Sequence, residues 1–338
     1  MTSRLTIRTR MLLVLTAIAV VSVGITATMG YRIVRQSIEQ QSFQYLIAVR
    51  EMKANQIEDY LRIIVDQAVT MAESRLIVEA MRDFREAFRS MKEDRLADER
   101  GEQDLRLYDQ TEFFPRLEST GDAEGNLDDY WPRDETARRL QKIYIHDNPF
   151  ETGSKPLLDD ALDGSTYSQA HRQYHPWIRN FLERFGYYDI FLIDHESGKV
   201  IYSVFKEVDF GTSLIDGPYW GTNLAEAFQS ARDAGRGKFK IVDFRPYAPS
   251  YGGQASFIAT PIYDGDDVIG VLAFQMPVDR INDIMTSRQE WGRVGLGDTG
   301  ETYIVGDDLT LRNQSRFLIE DRENYLRMIK QLGVAYGT

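Results

Sequence analysis

Two histidines four residues apart, His171 and His175, form the first pair in this 338-residue sequence whose spacing could do chemistry. On a helix they share one face and could hold a zinc ion. The metalloprotease pattern needs a glutamate directly after the first histidine, and Arg172 stands there. Pro176 follows at once, so the helix is expected to end here and the pair reads as structural. Asp159, Asp160 and Asp163 before Gly164 have the composition of a calcium loop without its alternating spacing. They read as a solvated acidic loop closing in a helix cap. Gly295-x-Gly297-x-x-Gly300 spells a dinucleotide fingerprint, but a strand pattern follows where a helix would have to begin, so a turn is expected. There is no cysteine, which excludes disulfides, thiolate metal sites and cysteine nucleophiles together. No Gly-x-Ser-x-Gly elbow is present, and nothing in the sequence pairs two carboxylates in a cleft. The residues carry no enzyme signature and imply no cofactor and no metal.

The elements that must position any site begin with an apolar run. Met11–Tyr31 is 21 residues without a charge, enough to cross a hydrocarbon core of about 30 Å as a helix. Arg4, Arg8 and Arg10 precede it and no acid appears before Glu39, so residues 1–10 are expected to stay cytoplasmic while the chain emerges outside after residues 11–31. A cleaved signal peptide is the competing reading; Ala27-Thr28-Met29 matches its cleavage site poorly and the run exceeds a usual signal core. The net charge is −12, and beyond residue 38 there are 35 basic against 52 acidic groups. So acidic an exported region is a poor partner for nucleic acid or anionic lipid. With 43% hydrophobic residues the chain can bury more than one core.

Residues 32–100 contain neither glycine nor proline, so one long stalk helix is expected. Apolar residues recur at Phe43, Ile47, Ala54, Ile57, Leu61, Ile64, Ala68 and Met71, the seam of a helix packed lengthwise on a partner, and a homodimer is expected through it. Residues 101–177 read as short helices and loops, including Glu135–Ile145 and Tyr167–Tyr174. In 178–290 the period changes to that of strands: Tyr188–Asp194, Val200–Phe205, Phe239–Phe244, Ala255–Tyr263 and Val268–Met276, with a helix at Asn223–Asp233 and a hairpin turn at Asp264-Gly265-Asp266-Asp267. The fold class is α+β, one antiparallel PAS-like sheet with helices on one face. After a short helix at Asp279–Arg288, residues 291–338 reopen the strand–turn–strand pattern with Gly300–Gly306 and Leu309–Arg312, read as the incomplete beginning of a second such module.

Several stretches carry a resemblance. Lys53-Ala-Asn-Gln-Ile-Glu-Asp-Tyr60, Phe185-Gly-Tyr-Tyr-Asp-Ile-Phe-Leu-Ile-Asp194, Val204-Phe-Lys-Glu-Val-Asp-Phe210 and Gly295-Leu-Gly-Asp-Thr-Gly-Glu-Thr-Tyr303 resemble the double Cache sensor region of bacterial transmembrane receptors. That resemblance implies a membrane anchor in the bacterial inner membrane, a periplasmic sensor binding a small molecule, and a helix movement passed to an output. Similar regions sit on chemotaxis receptors, class III adenylate cyclases, histidine kinases and phosphatases, so chemotaxis-type signalling is one expectation and an enzyme whose catalytic domain follows Thr338 the alternative. Gly217-Pro-Tyr-Trp-Gly221 lacks the arginine of the family's amino-acid signature, so amino-acid specificity is not carried over.

The resemblance places the ligand pocket on the first sheet, and strand alternation sorts its residues by face. Asp189 and Phe191 share one face of the first strand; Tyr202 lies in the second, with Lys206 and Asp209 just beyond it. Asp243 and Phe244 end the third strand, Tyr247 follows in its loop, and Gln275 is a lone amide in the last. Tyr219, beside Trp220, is a candidate lid. Aromatic walls with a few convergent polar groups are what a pocket needs. Asp189 would meet an ammonium and Lys206 a carboxylate.

Overall fold

The computed structural model describes residues 6–93, 99–121 and 125–333. The chain divides into two units, Met1–Glu58 and Asp59–Thr338, with the division inside the first helix, α1 (Ile7–Ala72). In the first unit α1 carries a stretch long and apolar enough to cross a membrane, with its side chains from Met11 to Val34 exposed.

The expected single stalk helix is two helices. α1 stops at Ala72, and α2 runs Arg75–Glu93. Ser74 makes the break without glycine or proline: its backbone N–H donates to Met71 O, and its hydroxyl oxygen accepts from Ile77 N at 3.3 Å, capping α2. Three residues of the expected dimer seam, Ile64, Ala68 and Met71, are buried in this chain's own core. The same three-and-four spacing serves an intramolecular partner there.

The next segment holds α3 (Glu99–Tyr108), α4 (Phe114–Thr120), α5 (Leu127–Tyr130) and α6 (Glu135–Gln141). Two single turns of π-helix, Asp109–Phe113 and Lys142–His146, follow α3 and α6. α7 (Thr166–Phe185) is capped by the Ser165 hydroxyl and continues through Pro176, contrary to the expected stop. An interior proline costs about 3 kcal/mol. Burial of Tyr167, Tyr174, Ile178 and Leu182 along one face offsets that cost.

The sheet consists of β1 (Asp189–Asp194), β2 (Val200–Ser203), β3 (Lys240–Tyr247), β4 (Gly253–Asp264) and β5 (Asp267–Gln275), in the antiparallel order β2-β1-β5-β4-β3. α8 (Asn223–Arg232) lies between β2 and β3 in the chain. Every residue of β1 and seven consecutive residues of β5, Ile269–Gln275, are buried, so both faces of the sheet must be covered. Helices accordingly pack on both faces rather than one. Ile190, Leu192, Tyr202, Leu272 and Phe274 join the cluster of α1, α2 and α7. Phe191, Ile193, Phe257, Val271 and Ala273 join the cluster of α8. Gly270 lets α2 approach closely: a Cβ there would lie 2.5 Å from the Met81 methyl.

α9 (Val278–Thr286), α10 (Arg316–Glu320) and α11 (Arg322–Gln331) complete the described chain. The strand–turn–strand expected near 300–312 is a small hairpin with one bridge, Val305↔Leu311, and Gly295 and Gly297 lie in turns with positive φ.

Candidate functional site

The two faces of the sheet separate the residues expected to form one pocket. Tyr202 points to the α2–α7 side, where its hydroxyl pairs with His175 Nδ1 at 2.7 Å and its ring lies 4.8 Å from Phe84. His175 Nε2 donates to Pro156 O at 2.6 Å, so Nδ1 is the acceptor for Tyr202. His171 stacks on His175 at 4.2 Å, with Nδ1 on Asp159 O at 2.8 Å. Burial, then Lys206, holds both rings well below the ordinary histidine pKa. Both are neutral core groups, and among the described residues no cluster of three metal-ligating side chains exists.

Lys206 is fully buried at φ +61° and its Nζ donates to Val204 O at 3.1 Å. The ammonium stands 5.8 Å from the Tyr202 ring and 5.9 Å from Tyr144. Burial pushes its pKa down to about 7 against the pull of Asp189. Asp189 is engaged within the chain: Ser203 Oγ donates at 2.6 Å, Val204 N at 2.9 Å and Phe205 N at 3.0 Å. Its oxygens tie β1 to the loop after β2, and burial raises it to about 6 while Ser203 and the Phe205 and Ile190 amides oppose. Phe191 is core, edge-on to Phe257 at 6.1 Å.

Asp243 and Phe244 fall outside the pocket. The register shifts between Val242 and Arg245 on this edge strand, leaving Asp243 exposed. There it accepts from Arg312 Nε and Nη2 at 3.0 and 2.8 Å, which holds its carboxyl below the usual range. Phe244 is half-buried.

The remaining three candidates, Tyr219, Tyr247 and Gln275, meet on the α8 side around a polar, aromatic interior. Tyr247 donates to Asp209 Oδ2. Tyr219 donates to Tyr130 O at 3.3 Å and feels Asp109, Asp209 and Glu207 at once. Gln275 donates to Ser250 Oγ at 3.2 Å, and Ser250 in turn donates to Glu207 Oε2 at 2.6 Å. Tyr188 donates to Glu207 Oε1 at 2.8 Å. A small, partly open cavity of about 20 Å³, room for one water, lies beside Glu207. It is lined by Tyr108, Phe113, Lys155, Lys206, Glu207 and Tyr251 among others. Tyr219 is buried here as a wall, while its neighbour Trp220 is 62% exposed.

Asp109 and Glu207 were not singled out in the sequence, and Asp209 only as a neighbour of Lys206. Burial raises Asp109 to about 7, with Arg106 opposing. Asp209 also stands at about 7, through burial against the Tyr247 hydroxyl. Glu207 lies well above its ordinary range through burial and then Asp209. The π-turn explains Asp109: it places Asp109 and Phe113 on one buried face, and such turns recur at functional positions. The signal for Glu207 and Asp209 lies in Glu207-Val-Asp-Phe210, where acidic and apolar residues alternate at strand-like spacing.

A larger, open groove of about 530 Å³ runs along Ile63, Gln67, Thr70 and Met71 beside Trp177 and Phe181. Asp66 and Ser74 also line it, and the surface it exposes is mainly apolar; the buried carboxyl, amide and phenol groups lie on the α8 side instead.

No protein-family profile matches the chain, and no curated protein matches it. Solved structures similar to it include the sensor domain of the V. cholerae histidine kinase DctB, at 18% identity and a TM-score of 0.28. That match covers 54% of this chain and 59% of the DctB domain, less than two thirds of it. The ligand-binding domain of the Pseudomonas fluorescens chemoreceptor CtaA, in complex with L-serine, is similar at 12% identity and 0.28, over 64% of this chain and 69% of that one. The ligand-binding domain of the Campylobacter jejuni chemoreceptor Tlp3, in complex with 4-methylisoleucine, is similar at 9% and 0.30, over 75% and 76%. At these scores the superpositions are loose, and the α+β assignment rests on the strand order of this chain itself.

Proposed function

We propose that this chain is the extracytoplasmic small-molecule sensor region of a bacterial transmembrane receptor of the double Cache type. The observation that carries this reading is the buried interior on the α8 side of the sheet, where tyrosines surround carboxyl and amide groups that the fold leaves partly unpaired. A core built only for stability would be apolar there, because buried polar groups without partners cost free energy. The apolar stretch of α1 supports membrane anchorage. Ligand binding would bias two arrangements of the sheet module, and α1 would carry the difference towards the membrane. A homodimer through the exposed Phe43 and Ile47 of α1 belongs to the same proposal.

The test uses the full chain in detergent. Its thermal unfolding is followed with amino acids, carboxylates, sugars and amines added singly. At least one class raises the unfolding temperature saturably, since a ligand of the native state stabilises by mass action. No response to any class overturns the sensor reading. Location is checked in cells with single cysteines at Ser3 and Ser119, the latter exposed on α4. A membrane-impermeant maleimide labels the Ser119 position and spares Ser3; the reverse pattern overturns the orientation.

A further inference from the structure

We infer that Glu207 and Asp209 are a proton-operated latch: protonated, they hold residues 204–212, the strap between β2 and α8, against the sheet, and ionised, they release it. The ligand here is the proton, so the latch goes beyond the small-molecule reading and stands or falls without it.

The strap is fastened on two sides. Towards α6, Gln141 Nε2 donates to Val208 O at 2.7 Å and to Phe210 O at 2.8 Å. Towards the sheet the fastening is done by the two acids. Glu207 accepts from the Tyr188 hydroxyl, just before β1, at 2.8 Å and from Ser250 Oγ, just after β3, at 2.6 Å. Asp209 accepts from the Tyr247 hydroxyl at the end of β3. Glu207 is 7% exposed and Asp209 0%. Every one of these side-chain donors is a neutral hydroxyl, and neither acid forms an ion pair among the described residues.

Neutral hydroxyls replace only part of the hydration that a buried carboxylate gives up. Asp209 Oδ1 has no partner beyond its own residue's amide. Ionising one acid also sets a charge near the other, two residues away on the same strap. The closed strap therefore accommodates the protonated pair, and water accommodates the ionised one.

The surroundings do not supply the missing positive charge. Asp189 on β1 acts on both acids in the same sense as burial. Asp109 in the π-turn acts with the pair on the Tyr219 phenol, and Tyr247 and Tyr251 face Glu207 as further phenols. Lys155 and Lys206 line the cavity beside Glu207, but Lys206 Nζ is bonded to Val204 O and Lys155 Nζ to Ile145 O. Burial lowers both amines, so neither gains charge as the acids do. Arg106 and Arg116 are paired with Asp128 and Glu112.

The backbone of the strap is built to move. Lys206 is held at φ +61°, a region that a non-glycine residue leaves when released, and Gly211 at φ +82° is a ready hinge.

The experiment is hydrogen exchange by mass spectrometry on the full chain in detergent at pH 5 and pH 8, with labelling times scaled to the intrinsic rate at each pH. The reporting amides are Phe210, Gly211 and Thr212, bonded to Glu207 O, Val200 O and Asp209 O at 3.0, 2.9 and 3.0 Å. Each proton released on opening raises the opening equilibrium tenfold per pH unit between the ordinary carboxyl range and the buried one. For Asp209 that interval runs from 3.8 to about 7. With half of the effect lost to relaxation, protection of the strap falls at least tenfold from pH 5 to pH 8, while α2 and β5 keep theirs. The double variant Glu207→Gln, Asp209→Asn keeps its strap protected at pH 8. The inference is overturned if the wild-type strap is equally protected at both pH values, if α2 and β5 lose protection in step with it, or if the double variant loosens as wild type does. Where the variant fails to fold, the wild-type pattern decides. No small molecule is added, so failure of the latch leaves the sensor proposal standing.

Discussion

Replacing Asp209 with asparagine should make the chain more stable than wild type by a margin that widens as pH rises. The carboxyl is fully buried and ionises at about 7 in the fold, against 3.8 when free. Its folded pKa is raised, so the native state holds a proton that the unfolded chain releases. The native state is therefore progressively penalised from about pH 4 to about 7, and the penalty is complete above that. About three pH units correspond to roughly 4 kcal/mol, of which about 3 kcal/mol accrue between pH 5 and pH 8. Asparagine keeps an oxygen for the Tyr247 hydroxyl and carries no charge. Glu207, whose pKa Asp209 raises, ionises more easily beside asparagine, which moves the margin in the same direction. His171, His175 and Lys206 titrate in both proteins and largely cancel in the difference. For a domain of this size the margin should grow by about 6 °C between pH 5 and pH 8, or about 3 °C if relaxation around the charge halves the penalty. The assay is thermal unfolding of both proteins at pH 5, 6, 7 and 8. A margin that does not change with pH, or that narrows as pH rises, would refute the reasoning.

Other substitutions probe the frame around the site. Phe84→Ala removes a fully buried ring packed against Tyr167, Tyr174 and Tyr202, and should cost about 3–5 kcal/mol in chemical unfolding. Gly211→Ala should destabilise by about 2 kcal/mol, because the residue has φ +82° and its Cβ would sit 2.8 Å from the Ala137 backbone; an unchanged unfolding midpoint would contradict this. Arg312→Ala releases both Asp243 and Asp308 and should quicken amide exchange in the Ile304–Arg312 hairpin while changing global stability by about 1 kcal/mol or less. Tyr202→Phe leaves the buried His175 Nδ1 without its donor and should cost about 1–3 kcal/mol, read by denaturant titration.

The sheet was legible because its strands carry turn chemistry at their ends: Asp264-Gly265-Asp266-Asp267 closes the β4–β5 hairpin as expected. The break at Glu73–Ser74 was not, since a serine cap inside a glycine- and proline-free run looks like any exposed polar residue until tertiary packing bends the chain. The length of α7 is not legible at Pro176, because the local penalty is outweighed by Tyr167, Tyr174, Ile178 and Leu182 along one face of the helix, whose partners in the core lie far away in the sequence. Alternation within a strand assigned Asp189 and Phe191 to one face correctly. It could not tell that Tyr202, paired opposite Leu192, faces the other core, because that depends on the β1–β2 register. Asp243 was lost to the register shift of an edge strand, which no periodicity announces. Asp109 sits in a π-turn, where helical spacing misplaces a residue by one position.

The central pairing of the sheet has a consequence for how the chain is made. β1 and β5 lie side by side, joining Asp189 to Gln275, while everything between them is threaded outside that pair. A ribosome delivers β1 long before β5, so β1 waits with one neighbour, β2, and an open edge. The apolar side of α2, including Met81, waits too, because its seat at Gly270 is made last. Closing so long a loop is slow, and the interval exposes strand and helix surfaces to other nascent chains. The yield of folded material should therefore fall when expression is forced, and recover when synthesis is slowed.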